Sequence, residues 1–191
     1  MVNNAQHELV AKAHVAMQQM FAAHDGKLSG RIMTIHAERC ASMGRDMGAR
    51  QGLNVDALMI AGYLHDVGRT INDDESHTLE GAKIVELFFQ EHNVHDATLK
   101  DIIIDCTLNH GSKAKPMTQQ GKLMQFIDKA ALIDVSVISV LIEEFSKSMP
   151  LQKAREKAKQ KLESWYSKIG DNRDTVQRSY EECLSLFAEK I

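Results

Sequence analysis

Apolar residues recur at helical spacing along almost the whole chain. No run alternates apolar and polar positions over strand length between hairpin turns, so the pattern predicts an all-α fold. Leu9, Ala13, Ala16, Met17 and Met20 mark one side of a first helix over residues 5–23, which the glycine-containing stretch 26–30 breaks; a second helix carries His36. Asn54 is placed to cap a third helix, whose Val55, Leu58, Met59 and Leu64 lead into His65 and Asp66 and which Gly68 ends. After the polar loop 72–75, Ser76 caps a helix through residue 91, with His77 in its first turn and Ile84, Val85, Leu87 and Phe88 at core positions. A helix begun near Asp96 holds Leu99, Ile102, Ile103 and Cys106 and runs to His110, where Gly111 stops it. Thr118 opens a long apolar helix bearing Asp128, with a bend or break near Asp134. Pro150 divides the last two helices, and beyond it Leu151, Ala154, Ala158, Leu162 and Trp165 form one packing stripe.

Composition changes this picture little. The 191 residues suffice for one helical domain, residues 1–191, with a sizeable core. A formal net charge of -3 supplies no field for a nucleic-acid polymer, so none is expected as a partner. Cys40, Cys106 and Cys183 are odd in number and far apart, which argues against a disulfide framework and against a cysteine zinc cluster, and for a reducing cytoplasm. No basic segment followed by an apolar run opens the chain, so no secretory signal is expected. Residues 122–142 have the length of a membrane span, but Asp128, Lys129 and Asp134 interrupt them where lipid penalises charge, so no membrane partner is expected. The basic run KAREKAKQK, 153–161, is interleaved with small apolar positions and is read as a solvated helix face.

Charge matters more at Asp128. Its neighbours Leu123, Met124, Phe126, Ile127, Ala131 and Leu132 describe an apolar environment, in which an ionised carboxylate requires a cation or strong donors. His36, His65, Asp66, His77 and His110 complete a set of imidazoles and carboxylates of the kind that binds divalent metals and supports metal-assisted hydrolysis. Taken singly, His36 reads as a helix-face residue, His77 as an exposed first-turn residue, His110 as a helix-end hydrogen-bonding group and Asp128 as the partner of a core arginine. Their joint occurrence in order favours the metal site. Two other His-Asp pairs carry bland explanations: His24-Asp25 edges a loop, and Asp96 of His95-Asp96 is a helix cap. Arg69 lies close enough to Asp66 to meet a substrate phosphate, and Asp73, Asp74 and Glu75 border the same region as candidate leaving-group acids. Cys40, one turn beyond His36, is read as a small buried residue.

The segment AGYLHDVGR, 61–69, resembles the signature of the HD-domain superfamily, mainly metal-dependent phosphohydrolases, and IDKAALID, 127–134, resembles its later metal-Asp motif. His36 matches the separate upstream His, while HTLEGAKI, 77–84, and LNHG, 108–111, are similar to the added His segments of binuclear members. The resemblance covers about residues 31–146 and implies an HD-type helical bundle with additional N- and C-terminal helices, the latter over about 150–191. It further implies one metal held by His36, His65, Asp66 and Asp128, and a second held by Asp66, His77 and His110. Without His77 or His110 the chain would resemble the mononuclear branch. Imidazoles and carboxylates without cysteine favour iron, manganese, cobalt or nickel over a closed structural zinc, with iron or manganese as the first choice. The implied activity is hydrolysis of a small phosphorylated metabolite such as a nucleotide or dinucleotide, with Asp66 and Arg69 as catalytic residues and homo-oligomerisation left open. A di-iron oxygenase or a noncatalytic metal-containing ligand sensor are the alternatives; oxygen consumption marks the first, and metal without turnover the second.

Overall fold

The computed structural model of the chain describes residues 4–24, 26, 28–74 and 76–188, and no β-strand occurs among them. The helices are α1 (Asn4–Ala22), α2 (Gly30–Arg50), α3 (Val55–Leu64), α4 (His77–Glu91), α5 (Ala97–Asn109), α6 (Gln119–Ala130), α7 (Val135–Ser146), α8 (Leu151–Ser167) and α9 (Gln177–Ser185). Short 3-10 turns occupy Val67–Thr70 and Gly170–Thr175. The chain divides into two compact units, Met1–Asp128 and Lys129–Ile191. No helix among the described residues is long and apolar enough to cross a membrane.

In the first unit α2 packs on α3, α1 lies against both, and α4 packs on α5 and on the first 3-10 turn. The core takes Met17, Leu58, Leu64, Leu99 and Ile103 from the stripes that the periodicity marks and adds Phe21 of α1, Ile32 and Met33 of α2 and Ile60 of α3; all are fully buried. Each such side chain contributes about 1.5–3 kcal/mol of hydrophobic stabilisation. The α2–α3 crossing is close because Gly62 has no side chain: a Cβ there would lie 2.4 Å from the Ala41 backbone nitrogen. This approach sets α3 against the helix that carries His36.

In the second unit α7 packs on α8, and α9 meets both. Ala154, Ala158 and Leu162 of α8 are buried along one stripe. Leu151 stands outside it, 59% exposed, because it is the first residue of the helix and has no preceding turn to cover it.

Several local expectations need correction. The third helix stops at Leu64 and not at Gly68; Asp66 takes φ -105° and ψ 2°, and the chain tightens into the 3-10 turn that contains Gly68. Ser76 precedes α4 but its side chain does not cap it, since its backbone is already helical; its Oγ accepts from Asn72 and its N–H donates to Asp74. Leu87 is 54% exposed, on the outer face of α4 opposite the buried Val85 and Phe89. The apolar stretch after Thr118 does break near Asp134 as expected, and Asp134 caps the second of the two helices, accepting the Ser136 N–H at 2.8 Å. Beyond Pro150 there are two helices and a 3-10 turn where one helix was expected. Asn54 and Asp96 do cap, accepting from Ala57 at 3.0 Å and Leu99 at 2.9 Å. Asp25 and Glu75 lie outside the described residues.

Candidate metal centre

The six imidazole and carboxylate residues singled out in the sequence come from five helices and meet inside the first unit. His36 projects from the middle of α2, and Asp128 from near the end of α6. The other four stand at helix ends: His65 follows α3, Asp66 leads into the 3-10 turn, His77 begins α4 and His110 follows α5. Helix ends suit ligands because the last turn leaves carbonyls without intrahelical partners. His65 Nδ1 faces the Gly62 carbonyl at 3.0 Å, and His110 Nδ1 faces the Thr107 carbonyl at 2.8 Å. His77 Nδ1 faces the Asp74 carbonyl in the loop before α4. A carbonyl oxygen can only accept, so Nδ1 of all three carries a proton, and Nε2 is the ring atom turned inward.

The inward Nε2 atoms gather around carboxylates. His36 Nε2 and His65 Nε2 are 3.2 Å apart; they lie 3.3 and 3.6 Å from Asp128 Oδ1, and 3.8 and 3.6 Å from Asp66 Oδ2. On the other side, His77 Nε2 and His110 Nε2 are 3.2 Å apart, and lie 3.2 and 3.4 Å from Asp66 Oδ1. Asp66 therefore turns one oxygen to each group. Around a divalent ion with bonds of about 2.0–2.2 Å, neighbouring donor atoms are separated by about 2.8–3.6 Å. Both groups match this spacing to within a few tenths of an ångström, and each could hold a divalent ion. Five of the six residues are under 9% exposed, and Asp128 keeps 20% of its side chain open.

Electrostatics fit the same conclusion. Burial pushes the Asp66 carboxyl up, but the facing imidazoles of His65, His110 and His77 outweigh it and hold the group well below the usual carboxylate range. Asp128 behaves alike: burial raises it, while His36 and His65 bring it far below its ordinary value. Both acids are thus held as anions in a nearly closed space. The Cys40 thiol is 3.7 Å from His36 Nε2; burial first, then the charges of Asp128 and Asp66, push it well above the usual thiol range, so it packs as a neutral group.

Arg69 lies beside the cluster. Its Nε donates to Asp66 Oδ1 at 2.8 Å and its Nη1 to Asp73 Oδ1 at 3.1 Å. Asp73 is thereby engaged by a guanidinium, and Asp74 Oδ1 accepts the Ser76 N–H at 2.6 Å.

Supporting residues were missed from sequence. Asp105 Oδ1 accepts from Asn109 at 2.8 Å and from the Met117 N–H at 3.1 Å, while Oδ2 accepts from the Thr118 N–H at 2.9 Å and hydroxyl at 2.6 Å. It ties the helix ending at His110 to the start of the helix bearing Asp128. Gln125 adds a bond from Nε2 to the Gly111 carbonyl at 2.6 Å. The signal for Asp105 was present: it is an acid between Ile104 and Cys106, in the kind of apolar setting that made Asp128 conspicuous. Burial raises the Asp105 carboxyl, but the Thr118 hydroxyl, the Met117 and Thr118 amides and Asn109 together bring it below the ordinary range. A depressed folded-state value means that its stabilisation is full above the unfolded pKa and is lost as pH falls through the folded one. Asp105→Ala is expected to cost about 3 kcal/mol in urea unfolding at neutral pH, and the difference from wild type should shrink on acidification through the carboxylate range.

Part of this chain is similar to known proteins. Ribonuclease Y of Thermotoga petrophila and that of Thermotoga maritima are each 28% identical over 101 residues. That of Fervidobacterium nodosum is 27% identical over the same length. The matched stretch is 52% of this chain but only 18% of each relative's length. No solved structure gives a significant match. The family model of the HD domain matches residues 33–133, just over half of the chain and a span that includes all six converging residues. This chain belongs to the HD-domain superfamily, a family of metal-dependent phosphohydrolases.

Proposed function

We propose that the chain is a phosphohydrolase that holds two divalent ions, iron or manganese, and cleaves a small phosphorylated metabolite such as a nucleotide or dinucleotide. The observation that carries this reading is the division of Asp66, with Oδ2 turned to His36 and His65 and Oδ1 to His77 and His110. His36, His65, Asp66 and Asp128 would hold one ion, and Asp66, His77 and His110 the other. Divalent ions bound there supply a nucleophile at neutral pH, by acidifying a water, and positive charge toward the phosphoryl oxygens.

The chain's own residues do the rest. The carbonyls of Gly62, Asp74 and Thr107 keep the Nδ1 protons in place, so that Nε2 is the donor atom at each of these rings. The near-complete burial of the cluster keeps bulk solvent away and strengthens every charge interaction within it. Arg69, as the nearest guanidinium, offers a planar fork for the non-bridging oxygens of a phosphate. A small substrate is favoured by the same burial, and by a net charge of -3 that gives no attraction to a long polyanion. The relatives' name points to RNA, in chains of which the matched stretch is 18%.

The test is anaerobic purification with elemental analysis, followed by a panel of phosphomonoesters, phosphodiesters, dinucleotides and an RNA oligonucleotide. Nucleotide or dinucleotide hydrolysis is expected. Cleavage of the RNA alone would overturn the substrate class, and oxygen uptake without phosphate release would overturn the reaction. His77→Ala should lower the metal content from two ions per chain toward one; unchanged two-ion occupancy would remove His77 from the ligand set.

A further inference from the structure

Arg69 and the second ion need the same oxygen. Arg69 Nε donates to Asp66 Oδ1 at 2.8 Å, and it is this oxygen, not Oδ2, that faces His77 Nε2 at 3.2 Å and His110 Nε2 at 3.4 Å. The two donor groups also differ in charge. His36 and His65 have Asp128 as well as Asp66 Oδ2, whereas among the described residues Asp66 Oδ1 is the single carboxylate oxygen grouped with His77 and His110. A guanidinium on that oxygen neutralises the negative charge that Asp66 brings to the second group, and two cations sharing one buried oxygen repel each other in a medium of low dielectric. The guanidinium has an alternative anchor, Asp73 Oδ1 at 3.1 Å, and it is the group placed to meet an incoming phosphate.

We propose that Arg69 gates the second ion. With no anion bound it holds Asp66 Oδ1 and keeps the His77 and His110 group weak; a phosphate group that draws the guanidinium away restores the charge of that oxygen and tightens the second ion. The two ligands then help each other, and the coupling is reciprocal. The inference rests on the two-ion reading above.

Calorimetric titration of chelator-stripped protein with Mn2+ alone tests it without reference to turnover. The wild type should bind one ion tightly and a second at least tenfold more weakly. Arg69→Gln should tighten the weak ion at least tenfold and leave the tight one within threefold, and adding His77→Ala to Arg69→Gln should abolish the gain. Arg69→Lys, which keeps the charge, should leave the second ion weak. Inorganic phosphate should tighten the second ion more in the wild type than in Arg69→Gln. If Arg69→Gln weakens both ions, the arginine merely orients Asp66 and the gate is overturned. The gate is equally overturned if Lys behaves as Gln, if the gain survives His77→Ala, or if phosphate acts equally on both proteins. Binding of two ions that ignores Arg69→Gln overturns the gate alone, while a protein that binds no Mn2+ overturns the two-ion reading and the gate with it.

Discussion

His65→Ala is expected to abolish hydrolysis and to weaken the metal dependence of folding in the same step. His65 Nε2 lies within 3.2–3.6 Å of His36 Nε2, Asp66 Oδ2 and Asp128 Oδ1, and the side chain is fully buried, so no neighbour can replace it. Turnover should fall on the order of 10³-fold or more, since electrostatic stabilisation of the reacting phosphoryl group is lost with the ion. Stability supplies a second readout. A ligand that binds only the folded state, present at 100 times its Kd, adds about 2.7 kcal/mol to folding. Chelation should therefore lower the thermal midpoint of the wild type by several degrees and that of His65→Ala by clearly less, since only the group of Asp66, His77 and His110 is left to hold an ion. A variant as sensitive to chelator as the wild type would show that the first ion is held elsewhere.

Gly68→Ala should be nearly as damaging, although Gly68 carries no chemistry. A Cβ at this position would fall 1.9 Å from the His77 carbonyl oxygen and 2.4 Å from the Gly81 backbone nitrogen. Both obstacles are backbone, so neither can rotate aside. The 3-10 turn after Asp66 must then move away from α4, at a cost of about 3 kcal/mol, near the top of the range for overpacking. This movement separates Asp66 Oδ1 from His77, now 3.2 Å apart. The expected result is a lowered midpoint in urea together with loss of one ion per chain by elemental analysis, while the group that contains His36, His65 and Asp128 keeps its own. Wild-type stability in Gly68→Ala would mean that the turn and α4 are not in close packing.

The two variants sample different kinds of legibility. His65 stands in AGYLHDVGR, where an apolar approach and a following glycine separate it from His24 and His95, whose dipeptides are the same. Gly68 is visible in that segment too, but only as a residue that ends helices. Its actual partner is the backbone of a helix that starts nine residues later, and no local pattern encodes that contact. Asp105 makes a similar point: four hydrogen-bond donors reach it, three of them more than ten residues away. Leu87 failed in the opposite sense, since periodicity identifies a stripe but not how wide a strip of it the neighbouring helices cover.

Helical class, the caps at Asn54 and Asp96, and the identity of the six converging residues are written in local order, because helix spacing and capping depend on residues three or four apart. The pairing of donors is not. Which oxygen of Asp66 faces His36, and which faces His77 and His110, follows from the packing of α2, α3, α4 and α5 around glycines that let backbones touch. Ångström-scale distances between residues 29 to 92 positions apart are products of that packing, and a one-dimensional pattern holds no information on them.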